Sequence, residues 1–193
     1  IAATESVKLL RELRRYGANI TVIMTKSAQK VITPLAISWA GNCEVISDWE
    51  HNMSGLKNYD GILLAPSTRN IMAKICNGII DNPLLMAISS AKKNKMPVMI
   101  IPSMHQVLAK DPLTLDLSGQ MQGMGFNVFW GELDENKSKQ PDSISIVANF
   151  SNHVNSYLQN RKKVVITLGS TISLLDDIRH VKNTSSGKTG FEI

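Results

Sequence analysis

The chain has 193 residues, a hydrophobic fraction of 43%, a charged fraction of 19% and a net charge of +5. This length accommodates one full α/β core and part of a second unit, and the composition excludes a disordered or fibrous protein. The basic residues are scattered and do not form an aromatic-interleaved stripe, so the charge does not indicate a nucleic-acid binder and would equally suit an anionic small molecule. No apolar run approaches the roughly 18 residues of a membrane span.

The two cysteines, Cys43 and Cys76, are far apart and lie in no CxxC or paired-histidine spacing. This excludes a disulfide framework and a zinc site, and it predicts no metal centre and a reducing, cytoplasmic location. Both thiols are expected to be buried. The first residue is Ile1, and a helical pattern begins almost at once, so we expect further residues and a first strand upstream.

Helical and strand patterns alternate along the first half of the chain. Apolar residues at helical spacing over 5–16, followed by Gly17, predict a helix with a defined end. A β-branched apolar run over 19–25 predicts a strand that is buried on both faces. Next come a predicted helix over 27–40, strands over 43–47 and 60–65, and two helices over 71–95 that are broken near the Asn82-Pro83 pair.

The alternation continues with strands over 98–101 and 126–130, helices over 115–124 and 144–158, and a strand over 163–168. The polar stretch 132–142 has no periodicity and could be a linker or a mobile flap. This order predicts an α/β fold with a doubly wound, mostly parallel sheet and helices on both faces. We place a first domain at 1–160 and the beginning of a second, truncated α/β domain at 161–193.

Ligands of open α/β sheets bind beyond the carboxyl ends of the strands, where loops enter helix N-termini. Three such loops here carry polar groups: Thr25 and Ser27, then Thr68 and Asn70, then Ser103, Met104 and His105. Thr25 and Ser27 could cap a helix or contact a phosphate, and Arg69 could grip a phosphate or lie in solvent. Each loop alone is weak, but their convergence predicts a composite pocket.

Two of the four histidines are placed to reach that pocket. His105 follows the predicted strand over 98–101, and His51 lies in the loop before the strand over 60–65. His153 and His180 are interpreted as structural or solvent-facing groups.

Three segments resemble the flavoprotein family of cysteine decarboxylases: residues 1–32, residues 60–85 (beginning DGILLAPSTRN) and residues 98–105 (VMIIPSMH). The similarity is greatest to the branch in which a phosphopantothenoylcysteine decarboxylase is fused to a phosphopantothenate cysteine ligase. In that family a Gly-Ser-Ile-Ala-Ala turn, an Ala-Pro-Ala-Thr-Ala-Asn-Thr segment and a Pro-Ala-Met-Asn segment surround FMN. The resemblance therefore implies a Rossmann-like flavoprotein fold and FMN as cofactor.

The site residues that the resemblance implies follow from these motifs. FMN-binding positions match Ile1, Ala2, Thr25, Ser27, Thr68, Asn70, Ser103 and Met104. His51 matches the family's active-site histidine, with one extra residue in its loop. His105 replaces the asparagine of the third motif, as in archaeal versions, and would bind the substrate's carboxylate or amide. The flap cysteine of bacterial members has no counterpart in residues 131–142, so the proton donor for the final reduction step must come from elsewhere.

The end of the chain resembles the opening of the ligase domain. Residues 169–171 (GST), 177–179 (DIR) and 183–188 (NTSSGK) correspond to its Gly-Gly-Thr, Asp-x-Val-Arg and Asn-x-Ser-Ser-Gly-Lys signatures. The resemblance implies substrate contacts by Arg179 and Asn183, with CTP and Mg²⁺ as the ligase's nucleotide and metal.

The resemblance implies decarboxylation of 4′-phosphopantothenoylcysteine to 4′-phosphopantetheine in coenzyme A biosynthesis, with His51 as general acid/base or orienting group. It also implies a homo-oligomer, a trimer or an assembly of trimers, and neither a nucleic-acid nor a membrane partner. Two alternatives stay open: a flavin-dependent reductase on the same fold, and a nonenzymatic flavin-binding module.

Overall fold

The computed structural model describes residues 2–49, 59–131, 133–134, 137–138, 140–160, 170, 172–182 and 184. The chain divides into two compact units, the first ending at Gln159 and the second beginning at Asn160. Among the described residues, no helix is long and apolar enough to cross a membrane.

The first unit opens with a 3₁₀ turn, Ala2–Glu5, and then alternates helices and strands. Its helices are α1 (Ser6–Arg15), α2 (Lys26–Gln29), α3 (Pro34–Gly41), α4 (Arg69–Cys76), α5 (Pro83–Lys93), α6 (Gln106–Ala109), α7 (Pro112–Gly123) and α8 (Ser143–Ser156). Its strands are β1 (Thr21–Ile23), β2 (Glu44–Ile46), β3 (Ile62–Ser67), β4 (Val98–Pro102), β5 (Met104–His105), β6 (Asn127–Val128), β7 (Leu133–Asp134) and β8 (Lys137–Ser138).

Parallel pairing dominates the first unit. Strands β3, β4 and β6 form a three-stranded parallel sheet in the order β3-β4-β6, and β1 pairs in parallel with β2 as a separate two-stranded piece. A short antiparallel sheet has the order β5-β8-β7. The predicted α/β class with parallel strands and flanking helices is therefore confirmed, although the described parallel strands form two pieces.

Strand β4 lies at the centre of the core because all five of its residues are buried. Ile100 packs with Met72, Ile88 and Met121 in one cluster, whereas Met99 and Ile101 belong to a second cluster with residues of α1 and α8. Alternate side chains of a strand point to opposite faces, so a strand that is covered on both faces is apolar throughout. The continuous apolar run in the sequence has this origin.

Local signals set most of the helix boundaries. Pro83 begins α5 directly after Asn82, whose side-chain oxygen accepts a hydrogen bond from the Leu85 amide at 3.2 Å. Gly17 follows α1 with a φ of 77°, and its amide donates to the Arg14 carbonyl. A left-handed residue after a helix favours glycine because glycine has no Cβ to clash.

One expectation from the sequence was wrong. The helix expected over 27–40 is two helices, since Thr33 caps a new helix that starts at Pro34. The described residues of the stretch expected to be a linker or a mobile flap include two strands, β7 and β8, and β8 pairs with β5. The strand expected over 163–168 falls outside the described residues.

The described part of the second unit is an antiparallel hairpin of β9 (Ile172–Leu174) and β10 (His180–Lys182). Its turn is held by Asp176, whose carboxylate accepts hydrogen bonds from the Ile178 and Arg179 amides and from the Arg179 guanidinium.

Candidate functional site

The loops after β3 and β4 lie side by side because these two strands are parallel neighbours. The register pairs Ser67 with Pro102 at the carboxyl ends of the strands. Beyond this pair, the Ser103 amide donates a hydrogen bond to the Ser67 carbonyl at 2.9 Å. The pairing therefore brings two of the three predicted loops together, as the sheet rule requires.

Thr68 begins the first of these loops and caps helix α4. Its hydroxyl oxygen accepts a hydrogen bond from the Ile71 amide at 3.4 Å, while the backbone of Thr68 is extended. Thr68 and Asn70 are both exposed at the start of the helix. Amides at a helix N-terminus that lack intrahelical partners favour an anion, so this corner offers hydroxyl, carboxamide and backbone donors to a ligand.

Arg69 is the first residue of α4, and its partner is a carboxylate of this chain. Its Nη1 atom donates to Asp111 Oδ2 at 2.8 Å, with the two side chains 31% and 38% exposed. Asp111 caps helix α7, since its other oxygen accepts from the Leu113 amide at 2.9 Å. The sequence left open a phosphate contact or a solvent-facing position for Arg69, and it gave no sign of this ion pair with Asp111.

The second loop contains β5, which pairs with β8, and β8 in turn pairs with β7. Met104 pairs with Ser138, and His105 pairs with Lys137, in an antiparallel register. Met104 packs partly against the main core cluster, whereas His105 is exposed. This pairing joins residues more than 30 positions apart in the chain, and it brings the polar stretch directly to the strand that carries His105.

The remaining predicted cofactor positions of the first unit occupy two other places. Ala2 lies in the 3₁₀ turn, which packs against β3. Thr25 caps α2 by accepting a hydrogen bond from the Ala28 amide at 3.2 Å, and Ser27 is exposed as the second residue of that helix. Among the described strands β1 pairs only with β2, so their pairing does not bring Thr25 and Ser27 to the loops after β3 and β4.

Three predicted site residues, Ile1, His51 and Asn183, fall outside the described residues. Arg179 is described in the second unit, where both its Nε and Nη2 atoms contact the Asp176 carboxylate at 2.7 and 2.6 Å. This contact is the main reason why the pKa of Asp176 lies below its usual range.

The two thiols and His153 are packed against other parts of the protein, as structural side chains are. Burial raises the pKa of both Cys43 and Cys76, and the Cys76 thiol donates to the Leu117 carbonyl at 3.6 Å. Both cysteines are partly rather than fully buried, which modifies the expectation of core thiols. His153 packs edge-on against Tyr157, and burial lowers the pKa of its imidazole. A raised thiol pKa makes a reactive thiolate less available, so neither cysteine is a good nucleophile.

Sequence reasoning missed two components of this region: Asp111 and the pairing of β8 with β5. Asp111 had a usable local signal, because an aspartate directly before a proline is typical of an N-cap followed by the first helical residue. The β5-β8 pair had no such signal, since it depends on contact between distant segments.

Comparison with known sequences places this architecture in context. Residues 1–173 match the family described as Flavoprotein, and residues 159–193 match a model described as the DNA/pantothenate metabolism flavoprotein C-terminal domain. The chain is 32% identical to the coenzyme A biosynthesis bifunctional protein CoaBC of Thermococcus kodakarensis over 200 residues, which cover 100% of this chain and 49% of that protein. The Bacillus subtilis protein of the same name is 29% identical, over 100% of this chain and 51% of its own length. The chain thus spans about half the length of the curated relatives it matches.

Solved structures agree on the fold. A PPC decarboxylase mutant complexed with pantothenoylaminoethenethiol superposes with a TM-score of 0.70 at 18% identity, covering 78% of this chain and 91% of that one. The FMN-dependent cysteine decarboxylase SpaF gives a TM-score of 0.70 at 20% identity, covering 80% and 91%. With parallel strands, paired strand-end loops and a family match that covers most of the sequence, the chain belongs to the flavoprotein family.

Proposed function

We propose that the first unit catalyses the FMN-dependent decarboxylation of 4′-phosphopantothenoylcysteine to 4′-phosphopantetheine, a step of coenzyme A biosynthesis in the cytoplasm. The observation that carries the proposal is the similarity of the whole chain to CoaBC proteins, over a fold that pairs the two strand-end loops. In this proposal residues 1–160 form the decarboxylase domain and residues 161–193 begin a ligase domain.

The groups at the strand ends suit a flavin mononucleotide in their chemistry. The exposed start of α4 offers the Thr68 hydroxyl, the Asn70 carboxamide and backbone N–H groups, which are donors that a phosphate or a flavin edge accepts. Met104 adds a partly buried thioether that can lie against an aromatic ring. We therefore assign Thr68, Asn70, Ser103 and Met104 to the cofactor, together with Ile1, Ala2, Thr25 and Ser27. When bound, the flavin would supply reversible two-electron oxidation of the substrate thiol, which makes loss of CO₂ feasible.

The two histidines have separate roles in this proposal. His105 holds the substrate carboxylate or amide, because its side chain is exposed on β5 beside the loop of Ser103. His51 acts as a general acid/base or orients the carboxylate. Pairing of β5 with β8 fixes the backbone on which His105 is carried.

Flavin binding and turnover of histidine variants test these roles. In His51→Asn we expect flavin binding close to that of the unmodified protein and a loss of turnover of about 100-fold or more, the usual size of an acid/base contribution. In His105→Ala we expect KM to rise more than kcat falls, because a binding contact is removed. Full turnover in His51→Asn with flavin bound would reject the acid/base role.

A second candidate is a flavin-dependent reductase on the same fold. The observation that favours it is the absence of cysteine from residues 131–142, where decarboxylases of this family carry a flap thiol. A reductase would pass electrons from reduced flavin to an external acceptor and would release no CO₂ from phosphopantothenoylcysteine. Parallel assays of CO₂ release and acceptor reduction separate the two functions.

We also propose that the first unit forms a homo-oligomer, a trimer or an assembly of trimers. Helix α3 leaves Leu35 70% exposed and Trp39 83% exposed, four residues apart on one face. Large exposed apolar side chains on one helix face are typical of a contact between protein chains. A Trp39→Lys variant should sediment as a smaller species than the unmodified protein, and an unchanged mass for that variant would remove α3 from the interface.

For the ligase part, we propose CTP and Mg²⁺ as cofactors and Arg179 and Asn183 as substrate contacts. Arg179 already pairs with Asp176, so a substrate anion would have to compete with that carboxylate. Exchange of Arg179 for lysine in the longer protein, with ligase activity measured against CTP concentration, tests this assignment.

A further inference from the structure

The ion pair between Arg69 and Asp111 joins two helix starts that belong to different loops. Arg69 opens α4 directly after the loop of β3, and Asp111 caps α7 after the segment that follows β4. The two residues are 42 positions apart, and the nitrogen-to-oxygen distance is 2.8 Å. The contact is therefore tertiary, and it links the start of α4, directly after the first loop, to the start of α7, which follows the second loop and helix α6.

Helix stability alone does not account for an arginine at this position. A cation at a helix N-terminus is opposed by the positive end of the helix dipole. Thr68 already caps α4, and the Leu113 amide bonds the Asp111 oxygen that the arginine leaves available. An ion pair that is about one-third exposed adds little to folding, because water screens it.

A positioning role accounts for the same arrangement. The backbone bond from Ser103 to Ser67 ties the two loops at the ends of the strands, and the ion pair ties the start of α4 to the start of α7, beyond α6. The second tie restrains the orientation of α4 relative to the segment that follows the second loop.

We propose that Arg69 is a positioning residue that acts through Asp111. The pair holds the starts of α4 and α7 together, so that Thr68 and Asn70 face the Ser103–His105 loop at a fixed spacing for the flavin. This inference rests on the proposed flavin site. It differs from a phosphate grip by Arg69, in which the guanidinium would contact the ligand and Asp111 would compete with that contact.

Four single variants of the full chain, and the double variant that combines Arg69→Gln with Asp111→Asn, separate these roles when flavin affinity is measured by quenching of FMN fluorescence. Arg69→Gln removes the charge, Arg69→Lys retains it, and Asp111→Asn removes the carboxylate charge while leaving a good N-cap. Lys74→Gln is the matched control, because Lys74 pairs with Asp81 near the other end of the same helix.

Positioning predicts that Arg69→Gln and Asp111→Asn each weaken FMN binding by about fivefold, the scale of a partly exposed ion pair. The double variant should be no weaker than either single variant, because both remove one interaction. Arg69→Lys should recover part of the affinity, and Lys74→Gln should change nothing. If Asp111→Asn bound FMN as tightly as the unmodified protein or more tightly while Arg69→Gln bound it more weakly, direct contact of Arg69 with the ligand would replace the positioning role. If Lys74→Gln lost as much FMN affinity as Arg69→Gln, a general charge effect would replace it.

Amide hydrogen exchange of the flavin-free protein gives a readout that does not depend on the cofactor. Arg69→Gln and Asp111→Asn should both speed exchange at residues 69–72 and 103–106, whereas Lys74→Gln should leave those residues unchanged. If the unmodified protein binds no flavin, the proposed function fails while this exchange result still decides the positioning role. Unchanged exchange in both loop variants would overturn the inference.

Discussion

Different interactions stabilise the two units of the chain internally. In the first unit, β4 buries Met99, Ile100 and Ile101 completely between helices on both sides. In the second, the described residues 172–182 are all exposed, and the hairpin is fixed by the turn bonds of Asp176. Tertiary burial therefore maintains the first unit, whereas local hydrogen bonds maintain the described part of the second. A substitution in the core of the first unit should therefore change the stability of that whole unit, whereas a substitution in the hairpin should change only its local structure.

The largest expected difference is between Ile100→Ala and Ile178→Ala. Ile100 is fully buried in β4, so its truncation should lower the free energy of unfolding by about 2–5 kcal/mol. Ile178 is 90% exposed in the hairpin turn, so its truncation should change that free energy by less than about 0.5 kcal/mol. Urea unfolding of both variants measures the difference, and comparable losses would contradict the contrast.

A pair of glycines tests how tightly the first unit is packed. A Cβ at Gly61 would lie 2.9 Å from Val154 Cγ2 and 3.2 Å from the Pro97 carbonyl oxygen, so Gly61→Ala should destabilise by about 1–3 kcal/mol. At Gly119, inside α7, a Cβ meets nothing within 4 Å, and Gly119→Ala should stabilise by about 0.5–1 kcal/mol because alanine favours a helix. Thermal unfolding checks the opposite signs, and a shift of the same sign in both would refute this packing.

A smaller effect is expected from the cap of α8. The carboxylate of Asp142 accepts a hydrogen bond from the Ser145 amide at 2.9 Å, and its bonds with Ser145 hold the pKa of the carboxyl below its usual range. Asp142→Ala should cost about 0.5–2 kcal/mol of stability near neutral pH. Because the folded pKa is lowered, the contribution is complete above the usual aspartate pKa and is lost as pH falls through the folded value.

The control for this cap is Asp142→Asn, which keeps a good capping group but cannot ionise. The unfolding midpoint of this variant should change less with pH in the acid range than that of the unmodified protein, because position 142 no longer ionises. The useful range is about pH 2 to 5, which brackets the usual aspartate pKa. If the unfolding midpoints of the unmodified protein and Asp142→Asn changed equally with pH over this range, the charged cap would be excluded as a source of the acid dependence.

The smallest global effect is expected in the hairpin. Asp176→Asn weakens the bonds to Arg179 that define the turn, so the amide resonances of residues 174–180 should shift. The urea midpoint of the first unit should stay the same, because the described hairpin residues are exposed. A moved midpoint would show that the second unit contributes to the stability of the first.

The sequence was most informative where a signal is local. The break at Pro83, the end of α1 at Gly17 and the buried character of β4 are all encoded by neighbouring residues, and each was predicted. The α/β class followed from the same signals. The break before α3 had a local signal too, a threonine before Pro34, which the apolar pattern over 27–40 obscured.

The site was less predictable because its arrangement depends on long-range contacts. The adjacency of the Ser67 and Ser103 loops followed from the rule for parallel sheets, and the structure has it. The partner of Arg69 lies 42 positions away and the strand that pairs with β5 belongs to a stretch without periodicity, so neither contact leaves a mark in local sequence. The roles assigned to Thr68, Asn70 and His105 stay predictions.

One measurement tests the central claim, that the strand-end loops of the first unit form a flavin-dependent decarboxylase site. The purified protein, supplied with FMN, is incubated with phosphopantothenoylcysteine, and the product is identified by mass spectrometry. We expect phosphopantetheine with release of CO₂, dependent on bound flavin and reduced by His105→Ala. Bound flavin with unchanged substrate would contradict the decarboxylase assignment and favour the reductase, and failure to bind flavin would contradict the site itself.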